Sequence, residues 1–474
     1  MYVQFWYTTG QGWRRNSNVP QEGYGTTSVI PDQGIFLAAS VYRPVFEFMN
    51  KIGSMLPQKY SQLGYSLHSN WNLGRPPKYS RMALSDGLLH FVNNFLKEHF
   101  LPAIFVDYRK CVQQAISSPA AFRPRIQATS VYDSSVELGR PVLQGLLAVD
   151  IIAKEVLGWV QLMPNYATEL VEYVRTFLER THERCRASYM EAVLEKQSYI
   201  LLSRNDVESL MRLEPANISL QNSTSQPDNN VTDAEAVEVE TELCDLLLDM
   251  CPIKQENLIH DDQKLILLAS LSDSLEYLAD SVERLGESFI SPPTTNHSHN
   301  GQHASSIAIP KGLSSLATEY RRLAIDCVRV LRLEMQLEAI YHMQEMTKRE
   351  YIEDQDAEDP DDFIISLTTQ IARRDEEMAP YITESKRNYV FGGISSVAAS
   401  ASIKALAQMK SINLLGVQQI CRNSIALEQS LLGFITEHEY LFSAKEYLSV
   451  LKVNVPGREI PMDAERRISQ ILGH

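Results

Sequence analysis

The stretch Pro164 to Ile200, PNYATELVEYVRTFLERTHERCRASYMEAVLEKQSYI, sets the fold class. Leu170, Val171, Val174, Phe177, Leu178, Thr181, Cys185, Tyr189, Ala192 and Val193 recur at steps of three and four residues. Glu172, Arg175, Glu179, Arg180, Glu183 and Arg186 fill the opposite positions. This is one apolar stripe on an amphipathic helix, with Pro164-Asn165 as its start signal. At 1.5 Å rise per residue the pattern predicts a helix of about ten turns, roughly 50 Å long.

The same period extends in both directions. Ser85-Asp86 reads as a cap for a helix from Gly87 to Ser117, with a kink expected at Pro102. Pro141 to Met163 predicts another helix, and Asp261-Asp262 caps one over Gln263 to Phe289. Leu313 to Arg349 follows, then a helix capped by Asp361-Asp362 that runs to about Met378. Asn413 to Tyr440 is the last large one, before short helices at Ser443 to Leu451 and Asp463 to Leu472. No Asn-Gly or Asp-Gly lies between alternating β-branched residues, so hairpin signals are missing. Ile30 to Val41 alone leaves helix against strand open. The fold class is therefore all-α, an elongated rod of stacked antiparallel helical bundles.

Two polar stretches punctuate the array. Residues 214–232 and 291–312 are rich in Asn, Ser, Thr, Gly and Pro and read as disordered linkers. They divide the chain into a poorly ordered segment 1–30, a first bundle 31–213, an acidic helix with a long helix over 233–290, and a second bundle 313–474. No fixed-period repeat is present, which argues against a solenoid of short repeats.

The 474 residues carry 44 Lys+Arg against 59 Asp+Glu, a net charge of −15. Seven carboxylates between Asp233 and Asp249 and eight between Glu350 and Asp362 account for all of it. The rest of the chain balances at 44 against 44. Such a body lacks the basic stripe that phosphate backbones require, so nucleic acid is excluded as a partner. A polybasic lipid-binding cluster is also missing. The stretch nearest to an apolar spanning run, the uncharged Asn388 to Ile403, holds four serines and predicts no membrane insertion. Six scattered cysteines form no C-x-x-C, which suits neither a zinc knuckle nor a disulfide framework. With no basic n-region before the apolar start, the chain reads as cytoplasmic.

Each candidate site has a plainer reading. His297, His299 and His303 have metal-like spacing but sit in a polar linker without an orienting carboxylate. The sequons at Asn217, Asn222, Asn230 and Asn296 fall in the same two linkers. Cys244 and Cys251 share a helical face and read as core. Asp354, Asp356, Glu358 and Asp361 fail the calcium-loop pattern, since Asp359 stands at the glycine turn. That run reads as a solvated loop whose last acids favour the next helix N-terminus. No nucleophile elbow, P-loop, dinucleotide fingerprint or H-E-x-x-H occurs; His182-Glu183 is followed by Arg186, where the second histidine would stand. Phe391-Gly392-Gly393 reads as a kink or close-packing point. No catalytic residue, cofactor site or metal site is expected. Phe122, Arg123 and Arg125, after the end of a helix, read either as a protein-contact loop or as a turn whose arginines pair with a neighbouring helix.

Several ordered phrases carry a resemblance. Val41-Tyr-Arg-Pro-Val45, Phe100 to Arg109, Ser117 to Arg125, Gly139 to Leu147, Arg175 to Thr181, Tyr189 to Tyr199, Leu331 to His342 and Ile420-Cys-Arg-Asn423 resemble the family of exocyst complex component four, most like its plant form. The resemblance covers about residues 15–474, matches the carboxyl-terminal portion of that rod, and departs from it over Met1 to Gly12. It implies a non-enzymatic, cofactor-free subunit of a complex that tethers secretory vesicles to the plasma membrane before fusion. It further implies other exocyst subunits as partners and peripheral recruitment from the cytoplasm to the plasma membrane and vesicles. The alternative is a helical adaptor that binds a regulatory protein such as a small GTPase without assembling the complex.

Overall fold

In a computed structural model, residues 42–49, 51–52, 90–118, 121–123, 142–213, 233–250, 252–288, 309–351, 358–408 and 412–431 are described. Within them the only β feature is one isolated parallel bridge between Tyr351 and Ile412, and the fold is all-α as expected. Helical turns at 42–49 (α1) are followed by a helix over 90–117 (α2). Its expected distortion lies just upstream of Pro102, as a π turn at Leu96–Phe100. Proline gives no N–H to the carbonyl four residues back, and its ring crowds that carbonyl; a wider turn relieves both.

Gln144–Leu162 (α3) starts three residues later than the sequence pattern suggests. Leu143 instead donates its N–H to Ser274 Oγ at 2.9 Å, which holds the incoming chain extended. The predicted ten-turn helix is broken. Pro164–Tyr166 is a 3-10 turn, Ala167–Val193 (α4) is one helix, and Gln197–Leu202 (α5) is another. At the break Glu195 takes a left-handed conformation with φ 65°. Such a conformation costs an L-residue roughly 1–2 kcal/mol. It lets Lys196 Nζ donate to the carbonyls of Glu256 and Leu258 at 3.0 and 2.9 Å.

Asn205–Leu213 (α6) and Asp233–Leu248 (α7) precede the two central helices, Asp262–Ser288 (α8) and Ile309–Met343 (α9). Asp261 caps α8 as expected, its Oδ1 accepting from Gln263 N–H at 3.0 Å. Pro310 lies in the first turn of α9, where its missing N–H costs nothing, so the last four residues of the stretch 291–312 are helical. The array closes with Asp362–Met378 (α10), Glu384–Phe391 (α11), Ile394–Gln408 (α12) and Leu414–Leu431 (α13). Asn413 caps α13 by accepting from Gly416 N–H at 2.8 Å.

α8 and α9 pack along each other, and α9 also touches α4, α5, α10, α11 and α12. Every residue from Cys327 to Ile340 is buried, so α9 has no solvent face there. Core residues from Tyr42 to Leu431 form one connected cluster that includes elements on both sides of 214–232 and 291–312. The segment Glu384–Leu406 is long and apolar enough to cross a membrane, but 72% of its apolar window is buried inside the protein. It is also broken at Gly392-Gly393, the step read from sequence as a kink. Gly393 has φ 74°, and a side chain there would meet Gln336 Nε2 at 2.6 Å. The segment 1–30, the linker 214–232, residues 291–308 and the two short helices expected after Tyr440 lie outside the described residues.

Candidate protein-contact site

The loop after α2 is held by a glycine. Gly145 donates its N–H to the Ala121 carbonyl at 3.0 Å, and a Cβ on Gly145 would stand 2.8 Å from Ala121 Cβ. Ala121 is thereby buried, and Phe122 is placed half-buried beside α4. The Arg184 guanidinium lies over the Phe122 ring, 5.0 Å from its centroid. Arg123 points outward as an exposed residue, and Arg125 lies outside the described residues. Of the three residues singled out in sequence, Phe122 is an anchor and Arg123 is the accessible one.

The arginine over Phe122 continues a ridge on α4. Tyr173 and Phe177 pack on Phe105 of α2, with ring centroids 4.5 and 5.7 Å apart. Arg180 and Arg184 follow at the next steps of three and four, on the same face. α2 ends at Ser117, so the ridge changes from aromatic to cationic as the helix that covers it stops. Both arginines are half-exposed.

α9 carries the opposite kind of charge. Arg329, Arg332 and Gln336, spaced by three and four, form one side; Glu334 and Glu338, spaced by four, form the other. All five are buried. Arg332 donates to the Tyr389 carbonyl at 2.6 Å and stacks over the Tyr389 ring at 4.8 Å. Glu338 faces Arg374 at 3.1 Å and His342 at 3.3 Å. Burial opposes its charge, but the hydrogen bond from His342 and the Arg374 guanidinium outweigh it and hold the Glu338 carboxyl below the usual range. Glu334 accepts from Ile259 N–H, and burial pushes its carboxyl up to about 7. Glu155 on α3 is likewise pushed up to about 7 by burial, the neighbouring Tyr108 hydroxyl offsetting part of the effect.

Together these groups fix the strap between α7 and α8. Gln344 receives the Ile253 N–H at 3.0 Å and donates to the Ile253 carbonyl at 2.7 Å, as a paired strand would. Lys196 and Glu334 hold Glu256 to Ile259, and Arg374 donates to the Ile259 carbonyl at 3.4 Å. Lys386 adds a buried cluster, bonding Asp273 at 2.6 Å, Glu276 at 2.9 Å and Ser272 Oγ at 3.0 Å.

Asp361 departs from its expected role. It precedes α10, but its side chain makes no cap bond. The carboxylate accepts instead from Arg349 at 2.6 Å, the Tyr351 hydroxyl at 2.7 Å and Asn423 Nδ2 at 2.7 Å. Its own N–H donates to Asn423 Oδ1 at 2.8 Å. One end of the acid run 350–362 is thus a buried joint between α10 and α13, while residues 352–357 lie outside the described set. In the first run, Asp249 pairs with Lys404 of α12 at 2.9 Å, and Glu238, Glu242 and Asp245 are exposed.

Those of the remaining candidates that lie among the described residues resolve as packing. Burial pushes the thiols of Cys185 up to about 12 and of Cys111 and Cys421 up to about 11, so they stay protonated. Cys244 is in the core, and Cys251, the linker histidines and the four sequons lie outside the described residues. His182 meets the Tyr320 ring edge-on, and burial lowers its proton affinity. Among the described residues no group of three or more His, Cys, Asp or Glu is placed to hold a metal ion. A pocket of about 380 Å³ between α7, α9 and α12 is lined by Leu248, Ile340, Met343 and Ala401 with Lys348 and Lys404. Both lysines are already engaged, by Glu345 and Asp249.

No protein-family model matches the chain. Over 98% of its length it is 56% identical to exocyst complex component SEC8 of Arabidopsis thaliana. It is 23% identical to exocyst complex component 4 of Dictyostelium discoideum over 77% of the chain, and 21% identical to that of Homo sapiens over 77%. The similarity is thus to exocyst components throughout, strong to the plant SEC8 and distant to the proteins called component 4. The chain spans 45% of the Arabidopsis relative and 35% of the Dictyostelium one.

Proposed function

We propose that this chain is a portion of an exocyst subunit of the plant SEC8 kind, acting as a non-enzymatic scaffold in the tethering of secretory vesicles to the plasma membrane. The observation that carries this reading is 56% identity to exocyst complex component SEC8 across 98% of the chain. The architecture agrees with such a role. A helix buried on all sides from Cys327 to Ile340, with Arg332, Glu334 and Glu338 bonded to neighbouring segments, gives a stiff body that holds outer surfaces at fixed separation. Its partners on this reading are other exocyst subunits, and it acts from the cytoplasm by peripheral recruitment to membranes.

Co-purification tests it. A tagged chain expressed in plant cells should bring down other exocyst subunits at physiological salt. If it brings down none while a full-length relative does, the scaffold reading fails for this chain.

A further inference from the structure

Nine of the nineteen described arginines are matched to an acid. Arg43, Arg204, Arg212, Arg349 and Arg387 each stand in an ion pair, and Arg175, Arg321, Arg373 and Arg374 each stand in two. Arg123, Arg180 and Arg184, like Arg109, Arg186, Arg284 and Arg322, make none among the described residues. The first three are gathered in one place. Arg184 covers Phe122, Arg123 adjoins Phe122 in the chain, and Arg180 lies one turn from Arg184. Of the nearest helical acids, Glu179 is taken by Arg175, and Glu183, exposed and in no ion pair, offsets one of the three charges. Phe122 and the Gly145–Ala121 contact hold the group in a fixed geometry, so an incoming anion meets little ordering cost.

We propose that the face formed by Arg123, Arg180 and Arg184 around Phe122 is a docking site for an acidic segment of a partner protein. The choice of a protein over a membrane follows from number and type. Polybasic lipid-binding segments use about four to eight Lys/Arg on mobile, exposed chain. Here the described charges are three arginines and no lysine, two of them half-buried on α4. Planar guanidinium groups held in place suit bidentate pairing with Asp and Glu carboxylates. The site deepens the scaffold reading, since it supplies one of the outer surfaces that reading requires.

The test uses the purified chain and a fluorescein-labelled peptide of repeated Glu-Glu-Leu-Glu, with its Gln-Gln-Leu-Gln analogue, followed by anisotropy at about 150 mM salt. The wild-type chain should bind the acidic peptide and not the neutral one. A variant carrying Arg123→Gln, Arg180→Gln and Arg184→Gln should lose about tenfold or more in affinity. A charge-matched control with Arg43→Gln, Arg204→Gln and Arg212→Gln, all paired arginines elsewhere, should lose less than about twofold. Equal losses in the two variants, or no binding by wild type, overturn the proposal. So does binding confined to phosphatidylserine vesicles and lost in the first variant, which would make the face a membrane contact. Co-purification with exocyst subunits is scored separately, so this site can fail while the scaffold reading stands, and the reverse.

Discussion

The interior around α9 and the arginine ridge of α4 use the same chemistry to opposite ends. In the interior Arg374 touches Glu338 and the Ile259 carbonyl, and Lys386 touches Asp273 and Glu276. Arg332, Arg374 and Lys386 there have their partners within the chain. On the ridge Arg184 has the Phe122 ring beneath it, and neither it nor Arg180 has a carboxylate in an ion pair. A buried charge without its partner is costly, so the interior must be closed. A half-exposed arginine is still hydrated, so the ridge can stay open to a partner. The difference separates residues that hold the fold from residues left to bind.

The largest effects should come from opening the interior. Lys386→Ala leaves Asp273, which is fully buried, without its cation and should destabilise by about 3–5 kcal/mol in urea unfolding. A loss under about 1 kcal/mol would mean that water reaches Asp273, and the contrast with the ridge would blur.

A pH dependence sharpens the same point. Glu334 and Glu155 have carboxyls raised to about 7 from 4.5. The folded state therefore holds their protons more tightly than the unfolded chain does. Their contribution is fully present below pH 4.5 and is lost as pH rises through about 7. Glu334→Gln keeps an acceptor for Ile259 N–H and carries no charge. At pH 8 it should stabilise by as much as about 3 kcal/mol, and at pH 4 the gain should vanish. Urea midpoints across that range check this; a gain that does not change with pH would assign the effect to packing.

Next in size is the glycine that seats the Phe122 loop. Gly145→Ala must displace Ala121 and should cost about 1–3 kcal/mol in thermal or urea unfolding. Smallest is the cation–π contact itself. Arg184→Gln should change stability by no more than about 0.5–1 kcal/mol, because the site is half-exposed. A larger loss would place Arg184 with the interior set.

Much of this was legible along the chain. The apolar stripe of α4 and the Asp261 cap of α8 depend on residues a few positions apart, and local spacing reveals them. What failed to show depends on distant chain. Nothing between Leu194 and Lys196 is a helix breaker; the break is stabilised by Lys196 reaching carbonyls some 60 residues later. Asp361 looked like a cap because Asp before a helix usually is one, yet Tyr351 and Asn423 claim its carboxylate. The two-sided polar pattern of α9 was present in the spacing of Arg329, Arg332 and Gln336 against Glu334 and Glu338. A helix with polar groups on opposite sides and apolar residues between them has no solvent face, and that signal was available. Phe122 and Arg123 were visible as a loop, but Arg180 and Arg184 join them only through the packing of α2 on α4.

Urea unfolding of two variants side by side tests the division most directly. Arg374→Ala should lose about 3–5 kcal/mol, since Glu338 and the Ile259 carbonyl lose a buried donor. The variant with Arg123, Arg180 and Arg184 all changed to Gln should stay within about 0.5 kcal/mol per site of wild type. Comparable losses in the two variants, or a larger loss in the second, would contradict the assignment of one set of arginines to the fold and the other to a partner.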